Sequence, residues 1–228
     1  MAAGMDDRHE TVAREADDLA GLLYTSGTTG RSKGAMITHA NLASNAETLV
    51  ELWHISDTDR LLHALPIFHV HGLYVALNTS FLSAASMIWF NAFDVKALIA
   101  AMPQATLMMG VPTFYTRLLS EPGFTNDHAR NMRLFISGSA PLLAETHMEF
   151  AARSGHAILE RYGMTETGMI TSNPYHGARV PGTVGFALPG VSVRIMGEQP
   201  GVIEVKGPNV FKGYWRMPEK TREDFTAD

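Results

Sequence analysis

The stretch LYTSGTTGRSKGA, Leu23 to Ala35, decides how the rest of the chain is interpreted. It contains three glycines, five Ser or Thr side chains, one Arg and one Lys, and no acidic residue. Glycine backbones can turn successive N–H groups inward, hydroxyls donate hydrogen bonds, and Lys33 adds a mobile positive charge. A flexible surface turn is the alternative. The density of donors, with a strand expected before the loop and a helix after it, favours a polyphosphate site.

The loop differs from the commonest nucleotide loop. A Walker A loop ends in Gly-Lys followed by Ser or Thr, whose hydroxyl binds magnesium at the start of a helix. Here Gly30 and Arg31 stand where Gly-Lys is required, and Lys33 is followed by Gly34. The sequence therefore argues against a P-loop ATPase.

Strand-like and helix-like runs alternate on both sides of this loop. Such alternation predicts an α/β fold with a mixed, mostly parallel sheet and flanking helices, and the change of pattern after Gly190 predicts a β-rich hairpin. The predicted strands are 21–25, 60–65, 86–90, 105–111, 132–137 and 157–161, and the predicted helices begin after Thr38 and Asp94 or span 113–119 and 142–153. Three segments are predicted: a linker or frayed helix at 1–20, a nucleotide- and acid-binding core at 21–189, and a β-rich subdomain at 190–228.

Composition removes several classes of protein. The 228-residue chain has no cysteine, which excludes disulfide scaffolds, thiolate zinc sites and cysteine nucleophiles. A net charge of −5 argues against nucleic-acid partners and polybasic membrane surfaces. The polar N-terminus has no signal-peptide pattern, and no apolar run is long enough to span a membrane. We expect a soluble, cytoplasmic protein with small-molecule partners; the oligomeric state is not predicted.

The glycine loop and four further motifs occur in an order that resembles the adenylate-forming superfamily, which contains acyl-CoA synthetases, luciferases and peptide-synthetase adenylation domains. They are the loop at 24–34, PIFHVHG at 66–72 with SGSAPL at 137–142, ERYGMTET at 160–167 and VKGPNVFKGYW at 205–215. The resemblance implies the large N-terminal domain of such an enzyme, in part. It also implies ATP and Mg²⁺ as cofactors and coenzyme A as co-substrate.

The resemblance assigns roles to individual residues. Thr165 would bond the α-phosphate, Glu166 would hold Mg²⁺, and Lys33 would neutralise phosphate charge, so these three are the catalytic candidates. A plain helix cap is the alternative for the Thr-Glu pair. The nucleotide-binding candidates are Thr25, Ser26, Gly27, Thr28, Thr29, Gly30, Lys33, Gly138, Ser139, Ala140, Glu160, Tyr162, Gly163 and Thr165.

Arg161 is the candidate determinant of substrate choice. It closes a predicted strand, where a guanidinium could grip the distal carboxylate of a dicarboxylic acid. Its surroundings also resemble malonyl-CoA synthetases, in which it would bind the free carboxylate. His69, Val70, His71 and Met169 are further substrate-binding candidates. A surface ion pair of Arg161 with Glu160 or Glu166 is the alternative, and a zinc site at His69 and His71 is disfavoured because no third ligand is evident.

The reaction implied is ATP-dependent ligation of malonate, or of methylmalonate, to coenzyme A through an acyl-adenylate, with release of AMP and pyrophosphate. A monocarboxylate substrate and a non-catalytic nucleotide- or partner-binding fragment stay open as alternatives. The chain stops at Asp228, before the family's ribose-binding Asp, its hinge and its C-terminal lysine. We therefore expect the polypeptide alone to turn over poorly.

Overall fold

The computed structural model describes residues 10–25, 32–198 and 200–227. These residues form one seven-stranded sheet, with strand order β4-β3-β5-β6-β7-β8-β9, and two two-stranded sheets. The strands are β1 Leu19–Thr25, β2 Lys33–Thr38, β3 Arg60–His63, β4 Ser86–Trp89, β5 Leu107–Gly110, β6 Leu134–Ser137, β7 Leu159–Met164, β8 Gly168–Ser172, β9 Phe186–Ala187, β10 Ser192–Met196 and β11 Val202–Lys206.

Helices connect most of the strands. The α-helices are α1 His39–Leu52, α2 Asn78–Leu82, α3 Val95–Ala101, α4 Pro112–Leu119, α5 Asn126–Ala129, α6 Ala144–Ser154 and α7 Pro218–Asp224. A π-helical segment, His71–Leu77, leads directly into α2, and a short 3₁₀ turn, Met102–Gln104, follows α3. None of the helices in the described ranges has the length and apolar character needed to cross a bilayer.

The central sheet is parallel from β4 to β7 and antiparallel beyond it. Its middle strands β5 and β6 are buried at every residue, as expected for a parallel sheet covered on both faces. The predicted mixed, mostly parallel α/β fold is confirmed. The carboxyl ends of β3, β5, β6 and β7 share one edge of this sheet, and ligands of open α/β sheets bind at such an edge.

Local sequence signals placed several helix starts correctly. Thr38 caps α1 through a hydrogen bond that Asn41 N donates to its Oγ1, 3.1 Å long, and the Asn41 side chain accepts from Thr38 N. Asp94 accepts from Ala97 N at 3.0 Å at the start of α3, and Pro112 opens α4. Each cap satisfies backbone donors that a helix start leaves free.

The sequence did not predict a strand between the glycine loop and α1. Residues 33–38 form β2, which pairs antiparallel with β1 so that Thr25 faces Lys33 and Tyr24 faces Gly34. The helix after this strand begins at His39, directly after Thr38, as predicted. The residues of KGAMIT are all buried or half-buried. The sequence did not indicate a strand there because its first two residues also belong to the loop motif. β1 also begins at Leu19, inside the predicted linker.

The segment 211–215 runs beside β2 and extends the small sheet. Met36 N donates to Gly213 O at 2.9 Å, Lys212 N donates to Met36 O at 2.9 Å, and Trp215 N donates to Gly34 O at 2.8 Å. β10 and β11 pair antiparallel, as the sequence predicts for the region after Gly190. Residues 211–215 thus bring the chain back to the flank of the glycine loop.

The amino-terminal edge of the sheet is fastened by a buried ion pair. Asp59 accepts from Arg133 Nη2 at 2.6 Å and from Arg133 Nε at 2.8 Å, and it also accepts from Thr106 Oγ1 at 2.7 Å and Ser56 N at 2.9 Å. Burial raises the pKa of Asp59, but these hydrogen bonds outweigh it and hold the pKa below its usual value of 3.8.

Asp59→Asn is therefore expected to lower the free energy of unfolding at pH 7 by about 2 kcal/mol, because Arg133 loses its buried counter-charge. A carboxyl whose folded pKa is depressed stabilises above its unfolded pKa and loses that contribution as the pH falls through the folded value. The free energy of unfolding of the wild type, measured with urea, should decrease below about pH 5, and that of the variant should depend less on pH in this range. An unchanged profile would contradict this role.

Candidate functional site

The predicted site residues gather at the carboxyl edge of the sheet and at the ends of the β1–β2 hairpin. His69 to His71 follow β3, Gly138 to Ala140 follow β6, and Tyr162 to Glu166 span the end of β7 and its turn into β8. Ser26, Gly27, Thr28, Thr29 and Gly30 lie outside the described residues. Thr25 and Lys33, which flank them, are paired across the hairpin.

The flanks of the glycine loop meet Glu166 through one tyrosine. Tyr214 donates from its hydroxyl to Glu166 Oε1 at 3.0 Å, and Lys33 Nζ donates to the same hydroxyl at 3.2 Å. Thr25 Oγ1 lies 3.5 Å from Glu166 Oε1. Three candidates from distant motifs therefore share one polar cluster, which links the ammonium of Lys33 to the carboxylate of Glu166.

Arg161 is buried and has no acidic partner among the described residues. Its side chain is 3% exposed, and Nε and Nη2 lack any hydrogen-bond partner within the described part of the chain. Burial lowers the pKa of the guanidinium to about 10, so it is still charged at pH 7. The surface ion pair with Glu160 or Glu166 is thus wrong. A buried, unpaired guanidinium is costly unless an anion reaches it.

Glu160, the neighbour of Arg161 in sequence, is directed to other partners. Glu160 Oε1 lies 2.8 Å from His147 Nδ1 on α6 and accepts from Gly182 N at 3.0 Å. Successive side chains of a strand point to opposite faces, so the pleat of β7 separates the two charges. Glu160 borders the cavity described below, but its carboxylate is committed to α6 and to the segment around Gly182.

Gly138 makes room for the guanidinium of Arg161. A Cβ built on Gly138 would lie 2.5 Å from both Cζ and Nη1 of Arg161 and 2.8 Å from Nε. Contacts this short do not occur between real side chains, so any larger residue at this position must push the guanidinium away. Gly138 thus lets the backbone pack closely against the guanidinium, whose Nε and Nη2 have no partner among the described residues.

Histidines surround Arg161 on its other side. His71 is fully buried; its Nδ1 lies 3.2 Å from Ser139 Oγ, and its Nε2 has no partner among the described residues. Burial, followed by the nearby Arg161 charge, lowers the pKa of His71 well below its usual value, and the same two causes lower the pKa of His69. Both rings are therefore expected to be neutral at pH 7, able to donate or accept without adding charge.

A cavity of about 260 Å³ opens beside Arg161. Its walls include Ser139 and Ala140 after β6, and Tyr162 and Gly163 at the end of β7. Ser139 adopts a left-handed backbone with φ 68°, which turns the SGSAPL loop sharply over the strand ends. The structure thus brings together the residues that the resemblance assigns to the adenine and the residue it assigns to the acid.

Thr165 and Val70 border a second, much smaller cavity of about 20 Å³ next to Glu166. Val70 is buried there. Met169 is 1% exposed and belongs to the main hydrophobic core; its backbone N–H donates to Asn45 Oδ1 at 3.0 Å. Met169 Cε nevertheless approaches Gly163, since a Cβ built on Gly163 would lie 2.6 Å from it.

A match to a family model covers residues 2–215, and the family is described as AMP-binding enzyme. The chain belongs to this family.

Relatives of the AMP-binding chain include malonate–CoA ligases. The mitochondrial malonate–CoA ligase of Mus musculus is 39% identical over 91% of this chain and 43% of its own length. The ATP-bound structure of MatB from Rhodopseudomonas palustris is 59% identical, with a TM-score of 0.94 over 100% of this chain and 47% of that one. A malonyl-CoA ligase in a ternary product complex with methylmalonyl-CoA and AMP is 36% identical, with a TM-score of 0.89. The chain spans about half the length of these relatives.

The residues around Glu166 fit the magnesium that the family implies. Mg²⁺ is usually held by one or two carboxylates, with waters and substrate phosphates completing its shell. Glu166 supplies one carboxylate beside the phosphate-loop flanks Thr25 and Lys33, and the described residues contain no cluster of three or more His, Asp or Glu that could enclose a metal. This donor set suits a Mg²⁺ ion that is also bound by a polyphosphate.

Tyr214 is the site residue that the sequence did not identify. It lies 181 positions from Lys33 and 48 from Glu166, so no local pattern connects them. The signal was its place in the motif VKGPNVFKGYW, which resembled the family but carried no assigned role.

Proposed function

We propose that this AMP-binding chain carries the nucleotide and acid sites of an ATP-dependent acid–CoA ligase that acts on malonate or its α-methyl derivative. The observation that carries the proposal is the buried Arg161, whose Nε and Nη2 have no partner in the described part of the chain, at the wall of a 260 Å³ cavity. A dicarboxylic acid supplies the missing anion at one end and the reacting carboxylate at the other.

A monocarboxylate fits this site less well. An apolar acid would bury the guanidinium still unpaired and would leave the unpartnered atoms of His71 and Ser137 unsatisfied as well. Guanidinium and carboxylate form a bidentate pair, and one carboxylate can use both free nitrogens. Substrate choice then follows from the cost of leaving buried polar groups unpaired.

The chemistry proceeds in two displacements. A carboxylate oxygen of malonate bonds to the α-phosphorus of ATP as the bond to the β-phosphate oxygen breaks and pyrophosphate leaves; the thiolate sulfur of coenzyme A then attacks the acyl carbon and AMP departs. Both partners of the first step are anions, so catalysis depends on positioning and charge neutralisation. When bound, Mg²⁺ offsets phosphate charge.

Individual residues divide this work. Lys33, with the glycine loop, holds the departing pyrophosphate, and Thr165 donates to the α-phosphate. Tyr162 and the loop of Ser139 and Ala140 enclose the adenine. Arg161 anchors the distal carboxylate, which fixes the reacting carboxylate at the phosphorus.

Because the chain spans half the length of its relatives, the decisive experiment places it in a complete enzyme. We suggest exchanging the corresponding segment of Rhodopseudomonas palustris MatB, 59% identical to this chain, for these 228 residues. The hybrid should catalyse malonate-dependent ATP–pyrophosphate exchange, with acetate and hexanoate at least about 100-fold less effective in kcat/KM. The parent MatB is the matched control.

Two outcomes would contradict the proposal. Exchange driven by acetate or hexanoate but not by malonate would indicate a monocarboxylate enzyme. A folded hybrid without exchange, together with no AMP binding by the isolated chain in calorimetry, would indicate that the nucleotide site is not functional.

A further inference from the structure

Tyr214 occupies an unusual position between two opposite charges. Its side chain is 4% exposed, its hydroxyl accepts from Lys33 Nζ at 3.2 Å, and the same hydroxyl donates to Glu166 Oε1 at 3.0 Å. Lys33 Nζ also lies 4.4 Å from the centroid of the Tyr214 ring. The ammonium and the carboxylate are thus one hydroxyl apart.

Opposite charges this close in a partly buried site attract strongly enough to form a direct pair. No such pair joins Lys33 to Glu166 among the described residues; Lys33 instead has Asp224 Oδ2 at 3.7 Å. A direct pair would occupy the ammonium that the phosphate needs and the carboxylate that the cation needs. The interposed hydroxyl accepts one hydrogen bond from Lys33 and donates one to Glu166. The Lys33–Asp224 contact of 3.7 Å is longer than a hydrogen bond, so both groups keep hydrogen-bonding capacity for a ligand.

The backbone holds Tyr214 at this point from both sides. Ala35, next to the loop flank, bridges to Tyr214, and Trp215 N donates to Gly34 O at 2.8 Å. Phe211 N donates to Glu166 O at 2.8 Å, and the rings of Phe211 and Tyr214 meet at 4.8 Å. The hydroxyl therefore has a fixed location relative to the hairpin and to Glu166.

We propose that Tyr214 is a positioning residue that keeps Lys33 and Glu166 from pairing with each other, so that both stay available to the polyphosphate and its cation. The inference rests on the proposed phosphate role of Lys33, and it is independent of which acid is the substrate.

The first test needs no ligand. In crystal structures of the unliganded chain, Tyr214→Phe should bring Lys33 Nζ to within about 4 Å of the Glu166 carboxylate, whereas the wild type keeps them apart. A Tyr214→Phe structure in which Lys33 and Glu166 stay separated would overturn the inference, whatever the chain binds.

The second test measures pyrophosphate. By calorimetry with Mg²⁺ present, Tyr214→Phe should raise the Kd for inorganic pyrophosphate about tenfold and change the Kd for AMP less than about twofold. Tyr175→Phe is the matched control. It also removes a hydroxyl that accepts from a cation, Arg133 Nη1 at 3.0 Å, but far from this cluster, so it should leave pyrophosphate affinity unchanged. Equal losses for AMP and pyrophosphate would indicate a merely structural role.

A double variant separates the mechanism from simple loss of a contact. In Tyr214→Phe/Glu166→Gln, the Glu166 carboxylate no longer competes for Lys33, while Asp224 is present in both variants. Pyrophosphate without Mg²⁺ should therefore bind more tightly to the double variant than to Tyr214→Phe alone. Equal or weaker binding would contradict the proposal. If the wild-type chain binds no pyrophosphate, the proposed function of the loop fails, and the crystal structures alone then decide the role of Tyr214.

Discussion

Replacing Arg161 with methionine should raise the malonate KM of the segment-exchanged enzyme by about 100-fold and change the ATP KM less than about twofold. The guanidinium is buried, charged and free of any acid in the described residues, so under the proposed function the substrate carboxylate would supply its counter-charge. Arg161→Lys should recover little of the loss, because an ammonium lacks the flat pair of donors that grips a carboxylate.

The same substitution should stabilise the unliganded chain. Removing a buried, uncompensated charge relieves its desolvation cost, and methionine fills a similar volume, so the free energy of unfolding should rise by about 1 kcal/mol or more. Arg179→Met is the matched control: Arg179 is half-buried but donates to the backbone oxygens of Pro174, Ala157 and Tyr175. That variant should be destabilised and should keep its malonate KM.

An Arg161→Met chain that is less stable and keeps its malonate affinity would remove Arg161 from the acid site. Urea unfolding and steady-state kinetics together separate the two roles. An arginine with a structural role raises the free energy of unfolding. An arginine that binds a ligand lowers the free energy of unfolding of the unliganded protein.

Replacing Glu166 with glutamine should lower the rate of malonate-dependent pyrophosphate exchange by about 100- to 1000-fold and leave malonate affinity unchanged. The amide keeps the shape of the side chain but lacks the negative charge that attracts the cation. Without the cation, the negative charge on the phosphates is not neutralised in the transition state. Higher Mg²⁺ concentrations should restore part of the rate.

Glu204→Gln provides the control for Glu166. Glu204 lies on β11, where its carboxylate pairs with Arg194 Nε at 2.5 Å, and it belongs to the β10–β11 hairpin. Its loss should leave exchange unchanged. Exchange that persists at the wild-type rate in Glu166→Gln would show that another group supplies the negative charge.

The sequence predicted most of the central sheet because strands β3 to β7 are short apolar runs between helical patterns. The caps at Thr38 and Asp94 and the start at Pro112 were also predictable, since each depends on residues at most three positions apart. β2 was not predicted, because its first residues, Lys33 and Gly34, carry the loop motif and mask a half-buried strand.

The site was only partly predictable for a similar reason. Motif resemblance placed Arg161 and Glu166 near the same edge, but the burial of Arg161 and the absence of an acid beside it depend on how β6 and β7 pack. The partner of Glu160 is His147, 13 residues earlier on α6, and no sequence pattern connects the two. Contacts between distant segments decide which charged groups are available to a ligand.

The close contact between Gly138 and Arg161 means that the proposed substrate preference depends on the residues at both positions. A Cβ at 138 would overlap the guanidinium of Arg161, so the guanidinium keeps its present position only beside a glycine. Alanine at 138 would displace the guanidinium, the flexible end of the Arg161 side chain, and would thereby alter the proposed diacid site without any change at position 161. We therefore expect a preferred order of substitutions in any change of the pocket toward monocarboxylic acids. Arg161 is replaced first, and larger side chains at 138 can then fill the volume that the guanidinium has left.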